Sequence, residues 1–477
     1  MQHFTRMTVR KEASLVRFAV KEDLKPVNSK LDHPLLKKPR KKEPDFPQLA
    51  ETDLVRHYYR LARLNFSWED GLYPLGSCTM KYNPLLNEAV AAEPAFNALH
   101  PALPAEHSQG ALQIIVETEK MITQLLDLAH VTLAPAAGAH GELTGTMMMR
   151  AWFEAKNDKR KYILIPDSAH GTNPASAAMA GFEVKKIAVR PNGTTDLDSL
   201  KKALDHETAA LMLTNPNTMG IFENEIHEIK KLLDSVGALL YMDGANLNAI
   251  VGRVSLGKMG VDLTQLNLHK TFSTPHGGGG PGQGALGVSE RMLPFLPGPQ
   301  LRENAGKIEF FNPEKSIGRI KGSYGQFGNI LRAWSYILRW GNQTREISGR
   351  AVLNSTYIRK KLGGVLTPAS DLPSMHETVY SEKPLKDRGL TTVNLAKALL
   401  DRGFYAPTIY FPLNVPGAIM VEPTETESKE ELDLFIETVR SIMTEDPEKI
   451  RQSPQNAPVI KIDETSAARN PRLSWRM

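Results

Sequence analysis

Lys270 is the residue of this sequence best suited to covalent chemistry. It lies in the run Asn-Leu-His-Lys-Thr-Phe at residues 267–272, shortly before four consecutive glycines at residues 277–280. Free lysine has a pKa of about 10.4, so a nucleophilic lysine needs desolvation or a neighbouring cation to expose its lone pair. This segment offers both conditions and favours an imine between Lys270 and a carbonyl cofactor. The alternative is a solvated lysine beside a flexible loop.

An acid, Asp243, precedes this lysine at the end of the apolar run at residues 238–242. With Gly237 and Gly244 on either side, the run predicts a buried parallel strand, and ligands in open α/β sheets bind outside the carboxyl ends of such strands. Pyridoxal phosphate needs an acid that keeps its ring nitrogen protonated. The spacing to Lys270 leaves room for a crossover and a second strand. The pair therefore predicts bound pyridoxal phosphate, although an Asp-Gly turn is the simpler alternative.

Two more predicted strands end in polar loops that can reach the same cofactor. Residues 162–165 lead into a loop that contains His170, and residues 209–213 lead into a loop that contains Asn215. We expect His170 to lie flat on the cofactor ring and Asn215 to donate a hydrogen bond to a ring oxygen. A loop histidine that is simply solvated is the alternative.

The phosphate of the cofactor needs a site of its own, and the run at residues 136–142 suits it. Its small residues allow backbone N–H groups to converge, which predicts Ala139, His140 and Gly141 as phosphate ligands. The run opens a predicted helix at residues 143–156, whose N-terminal dipole favours an anion.

These motifs resemble one family, the lysine-bearing subunit 2 of glycine dehydrogenase (decarboxylating), the P-protein of the glycine cleavage system. The matching segments are residues 73–84, 137–142, 168–174, 214–218, 242–246, 268–272, 405–412 and 422–425. The resemblance implies that pyridoxal 5'-phosphate is carried on Lys270 and that Asp243 and His170 act with it in catalysis. It also implies that Thr218, in one of these segments, contacts the cofactor.

The same resemblance implies an activity and partners. We expect decarboxylation of glycine and transfer of the aminomethyl group to the lipoyl arm of an H-protein. In single-chain members of the family the corresponding region is the C-terminal half of a longer chain. A companion subunit 1 is therefore implied, with two copies of each subunit.

Strands and helices alternate between residues 133 and 287, which predicts a largely parallel sheet covered on both faces. We predict an α/β protein, a fold-type I pyridoxal-phosphate-dependent transferase with a seven-stranded-type large domain and a smaller C-terminal α/β domain. The expected divisions are an arm with a helical segment at residues 1–110, the cofactor domain at 111–340, the small domain at 341–450, and a tail without regular elements at 451–477.

Individual elements follow from apolar periodicity and end signals. The expected helices are residues 51–64, 111–129, 224–236, 345–362, 392–402 and a last one that begins at a capping box, Ser428 to Glu431. Strands are expected at residues 376–380, near Ile409 and at residues 418–421.

Composition bounds the function. With 41% hydrophobic and 23% charged residues, and no apolar run as long as a membrane span, we expect an ordinary cytoplasmic protein without membrane or nucleic-acid binding. The net charge of +5 includes a basic run at residues 37–42, which we interpret as an arm on a partner subunit rather than a nucleic-acid patch. A modest positive charge also suits an acidic carrier protein.

Alternatives remain at several positions. A desulfurase needs a mobile catalytic thiol and is disfavoured, because Cys78, the only cysteine, lies far before Lys270 in an apparently ordered motif. A buried inert thiol is the simpler interpretation of Cys78. An aminotransferase is disfavoured but not excluded, because residues 422–425 contain no arginine that could bind a substrate carboxylate. The presence of the cofactor lysine argues against a non-catalytic scaffold, and a nucleic-acid binder is a further alternative. His276 can transfer a proton or be an ordinary loop histidine, and residues 322–328 can approach a ligand or pack tightly. The G-x-G-x-x-G pattern at residues 282–287 leads into a predicted strand, so we expect no nicotinamide site.

Overall fold

The computed structural model describes residues 49–169, 171–277, 282–457 and 463–471. Gly71–Ser453 forms one compact unit, and the described residues outside that range belong to a second unit. The predictions for His170 and for the basic run at residues 37–42 lie outside the described residues. Among the helices that the structure describes, none combines the length and the apolar character needed to cross a membrane.

The strands are β1 (His130–Thr132), β2 (Tyr162–Pro166), β3 (Glu183–Ile187), β4 (Thr208–Thr214), β5 (Leu239–Gly244), β6 (Leu263–Asn267), β7 (Gly284–Val288), β8 (Gln300–Asn304), β9 (Lys307–Phe311), β10 (Thr367–Pro368), β11 (Thr378–Ser381), β12 (Thr408–Ile409) and β13 (Ile419–Val421). The helices are α1 (Glu51–Ala62), α2 (Leu85–Ala91), α3 (Pro94–Asn97), α4 (Gln109–Leu126), α5 (Gly138–Glu154), α6 (Thr172–Met179), α7 (Leu197–Ala203), α8 (Ile226–Ser235), α9 (Leu268–Thr271), α10 (Phe327–Trp340), α11 (Arg345–Leu362), α12 (Lys383–Lys386), α13 (Thr392–Asp401), α14 (Lys429–Thr444), α15 (Pro447–Arg451) and α16 (Glu464–Arg469).

The core of the larger unit is a seven-stranded sheet in the order β1-β7-β6-β5-β4-β2-β3. The five strands from β6 to β3 in that order run parallel, whereas β7 is antiparallel to both β6 and β1. Strands β4, β5 and β7 are buried along their whole length, as their continuous apolar sequences require. The predicted α/β fold with a mostly parallel sheet is confirmed.

Helix α5 packs unusually close to this sheet because glycines line its inner face. A Cβ atom at Gly138 would lie 2.5 Å from Asn267, one at Gly141 would lie 2.9 Å from the Cβ of Gln265, and one at Gly145 would lie 2.8 Å from a ring carbon of Tyr241. The spacing of three and four residues places all three glycines on one helix face. The first turn of α5 is thereby held against the carboxyl end of the central strands.

A second, four-stranded antiparallel sheet has the order β10-β11-β13-β12. Helices α11 and α14 bury one face each beside it, through residues such as Ile358, Leu362, Phe435 and Ile436. This arrangement accounts for the predicted smaller α/β region. The domain boundaries at residues 110, 340 and 450 remain predictions.

Several element predictions are confirmed and others need correction. Helix α11 has the predicted bounds. A strand was expected to follow the glycine pattern at residues 282–287, but strand β7 begins within that pattern, at Gly284. Helix α5 begins at Gly138 rather than at residue 143, because the glycines that weaken helix propensity are required for its packing. The tail prediction was wrong, because Glu464–Arg469 forms a short helix that Asp463 caps.

Candidate active site

A cavity of about 570 Å³ opens at the carboxyl ends of the central parallel strands. Its volume lies within the range of small-molecule sites. The lining residues are Ser77, Gly171, Thr172, Ala175, Thr214, Thr218, Ala245, Asn246, Lys270 and Phe411. Two residues predicted from the sequence, Lys270 and Thr218, therefore form part of its wall.

Lys270 enters the cavity from helix α9, a single turn that continues directly from strand β6. Its Nζ donates a 2.7 Å hydrogen bond to the backbone oxygen of Ser77. The amine is half-buried, and it faces a segment that lies far from it in the sequence. This placement gives a lysine in a confined site with only one described hydrogen-bond partner for its Nζ.

Two histidines beside Lys270 are neutral at physiological pH. Burial, followed by the charges of His276 and Lys270, lowers the pKa of His269 to about 3. Burial and the charge of Lys270 lower the pKa of His276 to about 4, and the two rings meet edge to face at 4.9 Å. Because His276 carries no proton on one nitrogen at neutral pH, it can accept a proton but is not a cation that activates Lys270.

Asp243 lies at the end of strand β5, fully buried behind the cavity wall. The register pairs it with Thr214 on β4 and with Gln265 on β6. Thr214 Oγ1 donates to Oδ2 at 3.3 Å, the backbone N–H of Ala245 donates to Oδ1 at 2.9 Å, and Gln265 Nε2 also donates to Oδ1. These donors fix the carboxylate and stabilise its negative charge.

Glu142 and Gln265 belong to the same network, although sequence reasoning did not select either. Gln265 Nε2 reaches Glu142 Oε1 at 3.3 Å, and Tyr241 Oη donates to Gln265 Oε1 at 2.6 Å. Burial and the charge of Asp243 raise the pKa of Glu142 to about 9, so Glu142 is protonated at neutral pH. The network thus places a neutral acid, Glu142, beside the carboxylate of Asp243.

A buried ion pair fixes the backbone that carries Lys270. Lys81 Nζ lies 2.6 Å from Glu425 Oε1, and both side chains are 1% exposed. The same Nζ donates to the backbone oxygen of Thr271 at 2.6 Å and to Asn248 Oδ1 at 2.9 Å. Because Thr271 follows Lys270 directly, this pair ties helix α9 to segments from both ends of the chain. Such long-range contacts leave no local sequence pattern that could have predicted them.

The predicted phosphate run forms the N-terminus of α5. Gly141 donates its N–H to the backbone oxygen of Ala137, so this N–H is used within the helix and not by a ligand. The N–H groups that precede it in the first turn have no acceptor within the helix. Ala139 is exposed, and His140 Nδ1 accepts from the N–H of Ala136 at 3.1 Å. Burial and the charge of Lys321 lower the pKa of His140.

Two loop residues complete the predicted set. Asn215 is fully buried; its Oδ1 accepts from the N–H of Glu223 at 3.0 Å, and its Nδ2 has no hydrogen-bond partner among the described residues. Thr218 Oγ1 donates to the oxygen of Ser168 at 2.8 Å. A buried amide nitrogen without an acceptor is costly, so Asn215 has an unused donor for a ligand oxygen.

These residues fit pyridoxal phosphate. The cavity has a suitable volume and holds one amine, Lys270, in its wall. Thr214 and Ala245, which donate hydrogen bonds to Asp243, line the same cavity. The buried carboxylate of Asp243 therefore lies directly behind the cavity wall. Asn215 is not one of the residues that line the cavity, and its unused amide donor lies buried beside the lining residue Thr214.

Two family descriptions match the chain. Residues 108–305 match "Aminotransferase class-V", and residues 347–462 match "Glycine dehydrogenase, C-terminal domain". Among solved structures, a glycine decarboxylase (P-protein) of the glycine cleavage system in inhibitor-bound form has a TM-score of 0.71 at 21% identity, covering 85% of this chain and 93% of that one. A NifS-like protein has a TM-score of 0.60 at 16% identity, covering 78% and 99%. The shared fold is that of these enzymes.

Sequence relatives are much closer. A protein of Thermotoga maritima named "probable glycine dehydrogenase (decarboxylating) subunit 2" is 49% identical over 92% of this chain and 93% of its own length. A protein of the same name from Pyrococcus furiosus is 48% identical, covering 92% and 89%. Since identity at this level extends over nearly the whole of both chains, the resemblance found in the motifs is confirmed, and the chain belongs to the glycine dehydrogenase (decarboxylating) subunit 2 family.

Proposed function

We propose that this chain is the cofactor-carrying subunit of an enzyme that decarboxylates glycine and passes the aminomethyl group to the lipoyl arm of an H-protein. The observation that carries the proposal is the placement of one amine, Lys270, in the wall of a cavity whose floor is backed by a buried anion, Asp243. Family membership supports the same activity. The cytoplasmic location expected from the sequence is part of this proposal.

Pyridoxal phosphate, when bound, supplies a conjugated ring that accepts the electron pair left on the substrate carbon as carbon dioxide departs. Lys270 would hold it covalently, and Asp243 would face its ring nitrogen. The first turn of α5, with Ala139 and His140, would take the phosphate, because unpaired N–H groups and the helix dipole favour an anion there. Asn215 would donate to a ring oxygen. Thr218 and the predicted stacking residue, His170, remain part of the proposed site.

The protein contributes a fixed charge rather than a mobile one. Asp243 is anchored by donors from two neighbouring strands and from its own loop, so its carboxylate needs no reorganisation during the reaction. Because Glu142 is neutral, it adds no second negative charge beside the carboxylate of Asp243. Glycine has no side chain, so the cavity needs no specificity pocket beyond the space around Lys270.

The structure bears on the desulfurase alternative. The charge of Lys270 acts on Cys78, which follows Ser77 at the cavity, so the only cysteine is close to the site. Burial raises the pKa of the Cys78 thiol, whereas a catalytic cysteine needs a stabilised thiolate. This disfavours Cys78 as a nucleophile and supports decarboxylation over sulfur transfer.

We propose a companion subunit 1, with two copies of each subunit, and a lipoylated H-protein as partners. The test is to mix the purified chain with its companion and the lipoylated carrier, and to follow exchange of the carboxyl carbon of glycine with labelled bicarbonate. Exchange that requires all three proteins is the expected result. Exchange that proceeds without this chain, or none with all three present and loaded with cofactor, would contradict the proposal.

A further inference from the structure

A strained turn faces the amine of Lys270. Ser77 and Thr79 have φ angles of 62° and 50°, a left-handed conformation that non-glycine residues, and a β-branched threonine above all, adopt at a cost. Such a conformation persists only where the surroundings impose it. The oxygen that Lys270 contacts belongs to this turn, so whatever fixes the turn also fixes the partner of Lys270.

Two buried glutamates impose the turn. The N–H of Ser77 donates to Glu377 Oε2 at 2.8 Å. The N–H of Thr79 donates to Glu422 Oε2 at 2.9 Å, and Thr79 Oγ1 donates to Glu422 Oε1 at 2.5 Å. Both glutamates are fully buried. The backbone N–H groups of Ser77 and Thr79 and the hydroxyl of Thr79 are therefore all bonded to acids that flank strands of the small sheet.

The small sheet brings the two acids together. Thr378 on β11 pairs with Val421 on β13 in antiparallel register, so Glu377, just before β11, stands beside Glu422, just after β13. Burial and mutual repulsion raise the pKa of Glu377, and burial raises the pKa of Glu422. The pair thus retains a proton at a pH at which an exposed glutamate has lost it.

His376 lies beside the two glutamates but forms no hydrogen bond with either of them. Its Nε2 lies 3.8 Å from Glu377 Oε1 and 3.9 Å from Glu422 Oε1, beyond hydrogen-bonding distance. Neither ring nitrogen has a hydrogen-bond partner within the described part of the chain. Burial and the charge of Lys270 lower the pKa of His376 to about 3, so the ring is neutral. The acids are therefore held by the turn and not by a buried cation at His376.

We propose that Glu377 and Glu422 are positioning residues that shape the turn at residues 77–79 into a resting site for the Lys270 side chain. The Ser77 oxygen holds the amine of Lys270 whenever that amine is not bonded to the cofactor, and keeps it within reach for its return. The observed hydrogen bond requires an N–H on Nζ, which the free amine or ammonium supplies. The inference rests on the proposed function, because it takes Lys270 as the cofactor lysine.

The test measures the reactivity of Lys270 directly. The full-length chain, freed of cofactor with hydroxylamine, is treated with limiting acetic anhydride at pH 8, and acetylation is followed by mass spectrometry of peptides. Glu377→Leu removes the acceptor for the N–H of Ser77. Acetylation of Lys270 should then rise about tenfold, the factor expected when the hydrogen bond from Lys270 to the Ser77 oxygen is lost. Glu377→Gln keeps an acceptor at the same place and should stay within about threefold of the parent chain.

Internal controls separate positioning from general loosening. Acetylation of Lys81, which is buried against Glu425, should stay unchanged in both variants. Glu119→Gln alters another buried glutamate, whose Oε1 accepts from the N–H of Leu133 and the hydroxyl of Tyr324, and should leave Lys270 unaffected. If Glu377→Leu does not fold, Thr79→Ala removes one donor to Glu422 and should raise acetylation of Lys270 above the level found in Glu377→Gln.

Three outcomes would overturn the inference. Equal rises in the Leu and Gln variants would mean that charge, not the shape of the turn, governs Lys270. A parallel rise at Lys81 would mean that the whole region has opened. The ligand atoms of His376, Glu377 and Glu422 lie within 4.8 Å of one another. Stoichiometric binding of Zn²⁺ that is lost in Glu377→Gln would mean that this cluster is a metal site instead. None of these outcomes involves glycine or the H-protein, so they are distinguishable from failure of the proposed function.

Discussion

Replacement of Asp243 by asparagine tests the charge behind the cavity. The change keeps the shape of the side chain, and the amide oxygen can still accept from the N–H of Ala245, which now donates to Oδ1 at 2.9 Å. The new amide N–H₂ group faces the hydroxyl of Thr214, which can turn to accept from it. We therefore expect the fold and the bound cofactor to survive.

The expected loss of activity follows from burial. Asp243 is 0% exposed, so its interaction with a protonated ring nitrogen would be that of a buried pair. Removing one partner of such a pair costs on the order of 3–5 kcal/mol, which equals roughly two to four decades in rate if expressed fully in the transition state. Asp243→Asn should therefore lose nearly all exchange of the glycine carboxyl carbon.

The assay compares cofactor content with the exchange rate in the presence of companion and carrier. Thr214→Val is the matched control, because it removes one donor to Asp243 at 3.3 Å but keeps the charge, and should cost about tenfold or less. An Asp243→Asn chain that binds cofactor fully and keeps more than about a tenth of the exchange rate would refute the reasoning.

Three further changes test the packing and the buried charges around the site. Gly141→Ala places a Cβ 2.9 Å from Gln265 and should lower the free energy of chemical unfolding by about 1–3 kcal/mol. Gly110→Ala is the control: its added Cβ would have no described neighbour within 4 Å, so this change should be neutral or slightly stabilising. Glu425→Gln leaves the Lys81 ammonium buried without a counter-charge and should lower the free energy of unfolding by about 3–5 kcal/mol. Burial raises the pKa of Glu119 from 4.5 to about 7, so the folded state holds this proton more tightly than the unfolded state. The free energy of unfolding should therefore fall by up to about 3 kcal/mol as pH rises from 4.5 to about 7. Glu119→Gln should remove that fall.

Each of these has a clear contrary result. Equal effects of the two glycine changes would mean that α5 does not need its close approach to the sheet. A Glu425→Gln chain within about 1 kcal/mol of the parent would mean that Lys81 is not held as a buried charge. An unchanged slope of stability against pH in Glu119→Gln would assign that slope to other groups.

The sequence was informative where chemistry and local pattern coincide. Apolar strands that end at or next to Asp243 and Asn215, and a lysine in a glycine-rich setting, were sufficient to predict the sheet and its carboxyl edge, and Lys270 and Thr218 line the cavity there. The bounds of α11 also followed from periodicity alone. Local patterns sufficed in these cases because a strand end and its loop are contiguous in sequence.

The remaining features depend on contacts between distant segments. The Lys81 ion pair joins residues on opposite sides of the cofactor region, and the turn at residues 77–79 is shaped by acids of the small sheet. The role of Gln265 appears only when the strand register sets it beside Asp243. The early start of α5 contradicts helix propensity, because packing against the sheet outweighs the cost of its glycines.

The most direct measurement is the position of the covalent cofactor. The chain, with its companion and pyridoxal phosphate, is reduced with borohydride, digested and sequenced by mass spectrometry. We expect the reduced adduct on Lys270, and a Lys270→Ala chain should carry none there. An adduct on any other residue of the parent chain, or no adduct when companion and cofactor are both present, would contradict the assignment of Lys270 as the cofactor lysine.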